Sequence, residues 1–546
     1  MGCHDSKCDN ALERKHSIGM TLKRIILSIL TLIVSVELGA SLITSFNQPQ
    51  VGNQLQLYQT DMLVQASKWE GSGLSTDEVQ QFRTALFGDD PFEAVAKQYE
   101  EVRQEAAGGL ARSQQQLEAA SDPNLLNAEL RTTIQKQQQL VDQIDLRLGL
   151  IEAQTDRVPE AIDDWDAIVQ RSGSNAKVAA ILEDLWKDPP AIAPDAEAVL
   201  DSRLRGWFRY SALKRLYSLQ DAVVRLDKLE ADERSAAEQA IVKTTLVQAV
   251  PSVAALLGGA GLIALIGQRL LKGKESVLAI PDGQWEVPWN WETVWQVIVG
   301  GFLFIGQIAL PGAVLAVRSI LSAPTGAIAA GSGMADGGVA AVGLITGLIA
   351  EMTSRGKALY SLGFYVAMAA STLGVLYWSI KPYLPLSKDW FRITAKGRWP
   401  LWGLGSYLVA LPLMLAVAFL NQQIWQGQGG NNPLLQLVLE ERDPLALGLF
   451  LFTAAVAAPV FEEILFRGFL LPSLTKYMSA WRAIALSGLI FAVAHLSFSE
   501  ILPLTLLGAI LGFVYVRSQN LLASILLHST WNSATMIGLF LLGSSR

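Results

Sequence analysis

Apolar runs of about twenty residues recur through this sequence, and such a run can cross a bilayer only as a helix that satisfies its own backbone. The runs gather near the N-terminus and after about residue 240, a membrane-protein distribution. Ile25 to Phe46 is the first. No small-residue cleavage site follows a short core, so it reads as a retained anchor rather than a signal peptide. Lys7, Arg14, Lys15, Lys23 and Arg24 place its N-terminal side in the cytoplasm. Further spans are expected at Leu246–Ile266, Val294–Val317, Leu359–Ile380, Leu401–Leu420, Leu445–Leu470, Ala483–Leu496, Ile501–Val516 and Leu521–Leu542. Ala327–Ala350, Gly/Ala-rich with Asp336, is read as non-spanning or re-entrant, because a full crossing would move the basic loop after Ile380 outside the cytoplasm.

Between the anchor and the later spans the chain is charged and Gln-rich. The resulting fold class is all-α: a polytopic membrane helical bundle with an N-terminal anchor and an inserted helical soluble domain. Its expected divisions are a cytoplasmic polar tail (1–24), the anchor (25–46), an extracytoplasmic helical domain (47–240), transmembrane helices and loops (241–440) and a C-terminal unit (441–546). Leu148, Gly149, Ala153, Ala161 and Trp165 resemble one degenerate tetratricopeptide repeat, with a turn near Asp156-Arg157. Trp207, Phe208, Tyr210, Leu213, Leu216 and Tyr217 recur at helical spacing, which suits core packing; a partner-binding groove is the sharper reading.

The net charge of -7 and the lack of a basic stripe argue against nucleic acid as a partner. Cys3 and Cys8 are the only cysteines, so no disulfide framework or CxxC metal ribbon exists. Met1-Gly2-Cys3 through Ser6 fits the loose myristoylation pattern, although a polar tail explains it as simply.

Ionisable side chains inside apolar helices are costly and need a reason. Glu462, Glu463 and Arg467 lie in one apolar segment, Phe491 and His495 in the next, and His528 and Asn532 in the last. The chain has four histidines; two sit in the polar tail and two in this region. Glu463 and Arg467, four apart, share a helix face and can pair. Glu462 points about 100° away and is left for a cavity. His528 and Asn532, also four apart, present an imidazole and an amide on one stripe. Pro459 removes a backbone donor just before the carboxylates and can kink the helix or start a new one.

The order Glu-Glu-x-x-x-Arg, Phe-x-x-x-His, His-x-x-x-Asn, each on its own apolar helix, resembles the CAAX-protease and bacteriocin-processing (CPBP, or Abi) family. The resemblance covers about 445 to 542, and the layout of the whole chain is similar to the longer cyanobacterial members. It implies that 441–546 is an intramembrane glutamic endopeptidase domain. The substrate would be a membrane-associated protein or peptide in the lipid bilayer of a bacterial plasma membrane or thylakoid. It further implies that Glu462 and His495 activate a water, with Glu462 as general base. His528 and Asn532 would stabilise the oxyanion, and Glu463, Arg467 and Phe491 would support them. No cofactor is expected. The alternatives are a zinc peptidase with Glu462, His495 and His528 as ligands, which lacks an HExxH helix and leaves Asn532 without a role, and a non-catalytic membrane scaffold or chaperone whose helical domain binds a protein partner.

Overall fold

The computed structural model describes residues 21–46, 51–71, 75–88, 90–119, 125–280, 285–314, 316, 352–425, 429–430 and 433–543. Among the described residues every regular element is a helix, and no strand occurs. Helix α1 (Leu22–Phe46) is the anchor. Nine described helices then form the helical domain: α2 (Val51–Ala66), α3 (Thr76–Phe87), α4 (Pro91–Ala119), α5 (Leu125–Gln154), α6 (Val158–Arg171), α7 (Ala176–Trp186), α8 (Ala196–Arg203), α9 (Gly206–Leu219) and the start of α10 (Val223–Glu275). Helix α10 runs through residue 240 without a turn and carries the chain into its second membrane span.

Local chemistry accounts for several boundaries. Ser75 and Glu78 form a reciprocal capping box on α3. Asp156, with φ of 60°, turns α5 back along α6. At that turn Gly149 leaves room for Trp165, whose Nε1 would stand 2.6 Å from a Cβ on residue 149. Trp165 is fully buried, as are Trp207, Leu213 and Leu216, so the aromatic segment of α9 packs the core rather than lining an open groove.

The membrane body continues with α11 (Trp291–Val314), α12 (Ser354–Tyr383), α13 (Trp399–Trp425), the short α14 (Pro433–Glu440), α15 (Pro444–Leu474), α16 (Ala480–Val493), α17 (Phe498–Ser518) and α18 (Leu521–Gly543). Eight described helices are long and apolar enough to cross a bilayer, and α16 is a shorter apolar helix. The chain is therefore a multi-pass integral membrane protein. The expected re-entrant segment Ala327–Ala350 lies outside the described residues.

Contacts between helix ends sort the bundle into two faces. At one, Arg24 Nε bonds Glu292 at 2.6 Å, Leu521 N bonds the Arg392 carbonyl at 2.9 Å, and Lys476 Nζ bonds the Trp289 carbonyl at 2.6 Å. At the other, Ser45 Oγ accepts from Phe498 N at 3.0 Å, and Arg355 Nε pairs with Asp443 at 2.7 Å. The helical domain sits on this second face. Its core is continuous with Leu439, Phe450, Met536, Leu539 and Leu542 of α14, α15 and α18.

Candidate active site

Helix α15 absorbs Pro459 by widening, not by ending. Around Thr453–Ala457 the backbone takes π-helical turns, with Ala458 N donating to the Thr453 carbonyl. The next donor of that kind would be residue 459, a proline without an N–H. The Ala454 carbonyl is thereby left for an outside partner, and the Asn532 amide donates to it at 2.7 Å. A second π segment starts at Glu463 and runs to Leu470. Wide turns of this type concentrate at functional sites.

The two carboxylates meet different surroundings, as their angular offset predicts. Glu463 is fully buried, whereas the Glu462 side chain keeps 14% of its surface. Glu463 Oε1 takes Arg467 Nη1 at 2.9 Å and also His528 Nδ1 at 2.9 Å. Arg467, itself fully buried, donates from Nη2 to the Gly508 carbonyl at 2.9 Å and lies 4.7 Å from the centroid of the Phe491 ring. Glu462 Oε2 stands 3.8 Å from His528 Nε2, and Glu462 Oε1 accepts from the Tyr365 hydroxyl at 2.9 Å. His528 thus lies between both glutamates, one at each ring nitrogen.

His495 lies in the turn that follows helix α16. Its Nδ1 lies 2.8 Å from the Phe491 carbonyl. A carbonyl only accepts, so Nδ1 is the donor, and Nε2 is the ring nitrogen left to face the site. Phe491 touches both imidazoles, with centroids 4.8 Å from His495 and 5.8 Å from His528. Among the described residues no group of three or more His, Cys, Asp or Glu side chains is arranged to hold a metal ion.

Glu462, Glu463, Arg467, Phe491 and His528 thus form one contact cluster, His495 joins it through Phe491, and Asn532 is tied to the neighbouring turn of α15. Three contacts have no signature in the sequence. These are the Glu463–His528 bond, the Tyr365–Glu462 bond, and the bond from Gln307 Nε2 to the Ala494 carbonyl at 3.1 Å, next to His495. Tyr365 and Gln307 belong to α12 and α11; Tyr365 is one of several hydroxyls on α12, so nothing local singles it out, and Gln307 shows only as an amide at membrane depth. The cluster lies at mid-depth in the bundle rather than at either face. Asn532 lies about 16 Å from either end of α18, and Tyr365 about 16 Å from the Ser354 end of α12, by helical rise.

A family model described as type II CAAX prenyl endopeptidase Rce1-like matches residues 444–534. The chain is 23% identical to YdiL of Bacillus subtilis (strain 168) over 137 residues, 25% of this chain and 55% of that protein. It is 26% identical to the membrane-embedded CAAX protease MroQ of Staphylococcus aureus (strain USA300) over 142 residues, 25% of this chain and 56% of that one. To the UPF0177 protein YxdF of Lactococcus lactis subsp. lactis (strain IL1403) it is 32% identical over 82 residues, 15% and 45% of the two chains. The chain spans about half the length of the curated relatives it matches. No solved structure matches it.

Proposed function

The C-terminal segment 444–534 carries an Rce1-like CAAX-endopeptidase domain, and from that premise we propose that the chain is an intramembrane endopeptidase hydrolysing a peptide bond in a membrane-associated protein or peptide. The observation that carries this reading is His528 held between Glu463 at Nδ1 and Glu462 at Nε2, within an apolar bundle. Glu462 and His495 hold a water. As its oxygen attacks the carbonyl carbon, its proton passes to Glu462. The negative charge that develops on the carbonyl oxygen is met by His528 Nε2–H and by the Asn532 amide. Asn532 commits one N–H to Ala454 and has a second to offer. His528 donates from both nitrogens only as the imidazolium, whose charge the flanking carboxylates match. The C–N bond then breaks, Glu462 returns the proton to the leaving nitrogen, and a carboxyl and an amine terminus result.

The mid-depth position of the cluster supports cleavage within the bilayer, and the helical domain is a surface for a substrate or protein partner to meet. The test is Glu462→Gln, which keeps size and shape. Folding should survive, and cleavage should fall by about 10²–10⁴-fold. Cleaved membrane proteins are identified by comparing new N-termini in membranes carrying wild-type or Glu462→Gln protein; identical profiles would remove the proteolytic reading and favour a scaffold. Metal analysis of the purified protein tests the chemistry separately. One stoichiometric zinc, lost and regained together with activity, would replace the metal-free mechanism with a zinc one.

A further inference from the structure

We propose that Tyr365, on a helix outside the family-matched segment, is a positioning residue that fixes the carboxylate of Glu462. The proposal rests on the proteolytic reading above. An ionised carboxylate only accepts, so the Tyr365 hydroxyl is the donor in its 2.9 Å bond to Oε1. The ring that carries it is itself held, edge-on to Phe461 with centroids 5.9 Å apart at 83°. Phe461 is buried and adjoins Glu462 in the chain, so α12 grips α15 at both residues.

The two oxygens of Glu462 are thereby made unequal. Oε1 is tied to Tyr365, and Oε2 turns toward His528 Nε2, beyond hydrogen-bond range at 3.8 Å. The terminal torsion of a glutamate is broad and nearly two-fold, so nothing intrinsic to the side chain selects this orientation. A single donor on one oxygen does. Oε2 is then the oxygen held ready to take a proton from water. A base held in one geometry reacts faster than one that must find it. The signal lies on α12 and not in the Glu-Glu-x-x-x-Arg segment, so the reacting centre extends beyond residues 444–534.

The experiment uses the full chain in proteoliposomes and a library of internally quenched peptides. From it a peptide is chosen that the wild type cleaves far faster than Glu462→Gln, whose residual rate is still measurable. Tyr365→Phe keeps the ring and removes only the hydroxyl. Loss of a hydrogen bond to a charged group predicts a fall in kcat of about 10- to 100-fold, with KM and thermal midpoint near wild type. In a Glu462→Gln background the same change should leave the residual rate unaltered, because the group it positions is gone. Wild-type kcat in Tyr365→Phe overturns the assignment, as does an equal fold-loss in both backgrounds, which would mark a structural role. A wild-type chain that cleaves no peptide, or Glu462→Gln cleaving as well as wild type, overturns the proteolytic reading and this assignment with it.

Discussion

Glu463 shows how much one side chain's role depends on who meets it. Four residues before Arg467 on one helix, it reads as half of a buried ion pair, which is a stability role. The structure keeps that pair and adds His528 on the same oxygen. Glu463→Gln should therefore do two things. It leaves Arg467 short of a counter-charge at a fully buried position, at a cost of about 3–5 kcal/mol if desolvation is complete. It also weakens the group that orients His528, which should lower turnover per folded molecule by about 10- to 100-fold, as loss of an outer-shell partner does. Thermal unfolding and active-site-normalised kinetics separate the two. A lower midpoint with wild-type turnover in the folded fraction would reduce Glu463 to its structural role.

Between elements, the site depends on how closely α16 and α17 approach. Gly488 and Gly508 face each other there. A Cβ on residue 508 would stand 2.7 Å from the Gly488 Cα, and one on residue 488 would stand 2.9 Å from the Thr505 carbonyl. Small residues permit this contact in membranes, where lipid gives no hydrophobic drive for helices to associate. The same approach presents the Gly508 carbonyl to Arg467 and sets Phe491 beside the histidines. Gly508→Ala should push the helices apart, cost about 1–3 kcal/mol by overpacking, and lower activity with stability. Gly538→Ala is the control. A Cβ there meets nothing within 4 Å, so the change should be neutral or stabilising by up to about 1 kcal/mol. Equal thermal midpoints for the two variants would show that the α16–α17 contact is not tight.

At the scale of the molecule, the distribution of charge and the pairing of helix ends point the same way. Arg24, Lys381, Arg392, Lys396, Arg398 and Lys476 belong to the face opposite the helical domain, the arrangement expected when that face is cytoplasmic. A cysteine introduced at Ser174, exposed on the helical domain, should react with an impermeant maleimide in intact cells, and one at Lys396 should react only after permeabilisation. Both are tested with Cys3 and Cys8 replaced by serine. Labelling of position 396 alone would invert the topology.

What the sequence determined by itself is what a segment carries alone. Apolar run length and the cost of burying charge mark the anchor and the later spans, and the spacing within each run pairs Glu463 with Arg467 and turns Glu462 away from them. Residues 462, 495, 528 and 532 could be grouped because an ionisable or amide group inside an apolar helix is conspicuous one segment at a time. Tertiary structure alone decided which groups touch. The Ala454 carbonyl is open to Asn532 because Pro459 has no N–H for a π turn to use, and that turn is invisible in periodicity. Tyr365 reaches Glu462, and the core of the helical domain merges with the end of α18, because helices distant in sequence are rotated and set in depth against one another. Hydrophobic pattern tells each helix which side is apolar; only packing tells it which neighbour, and at what height, that side will meet.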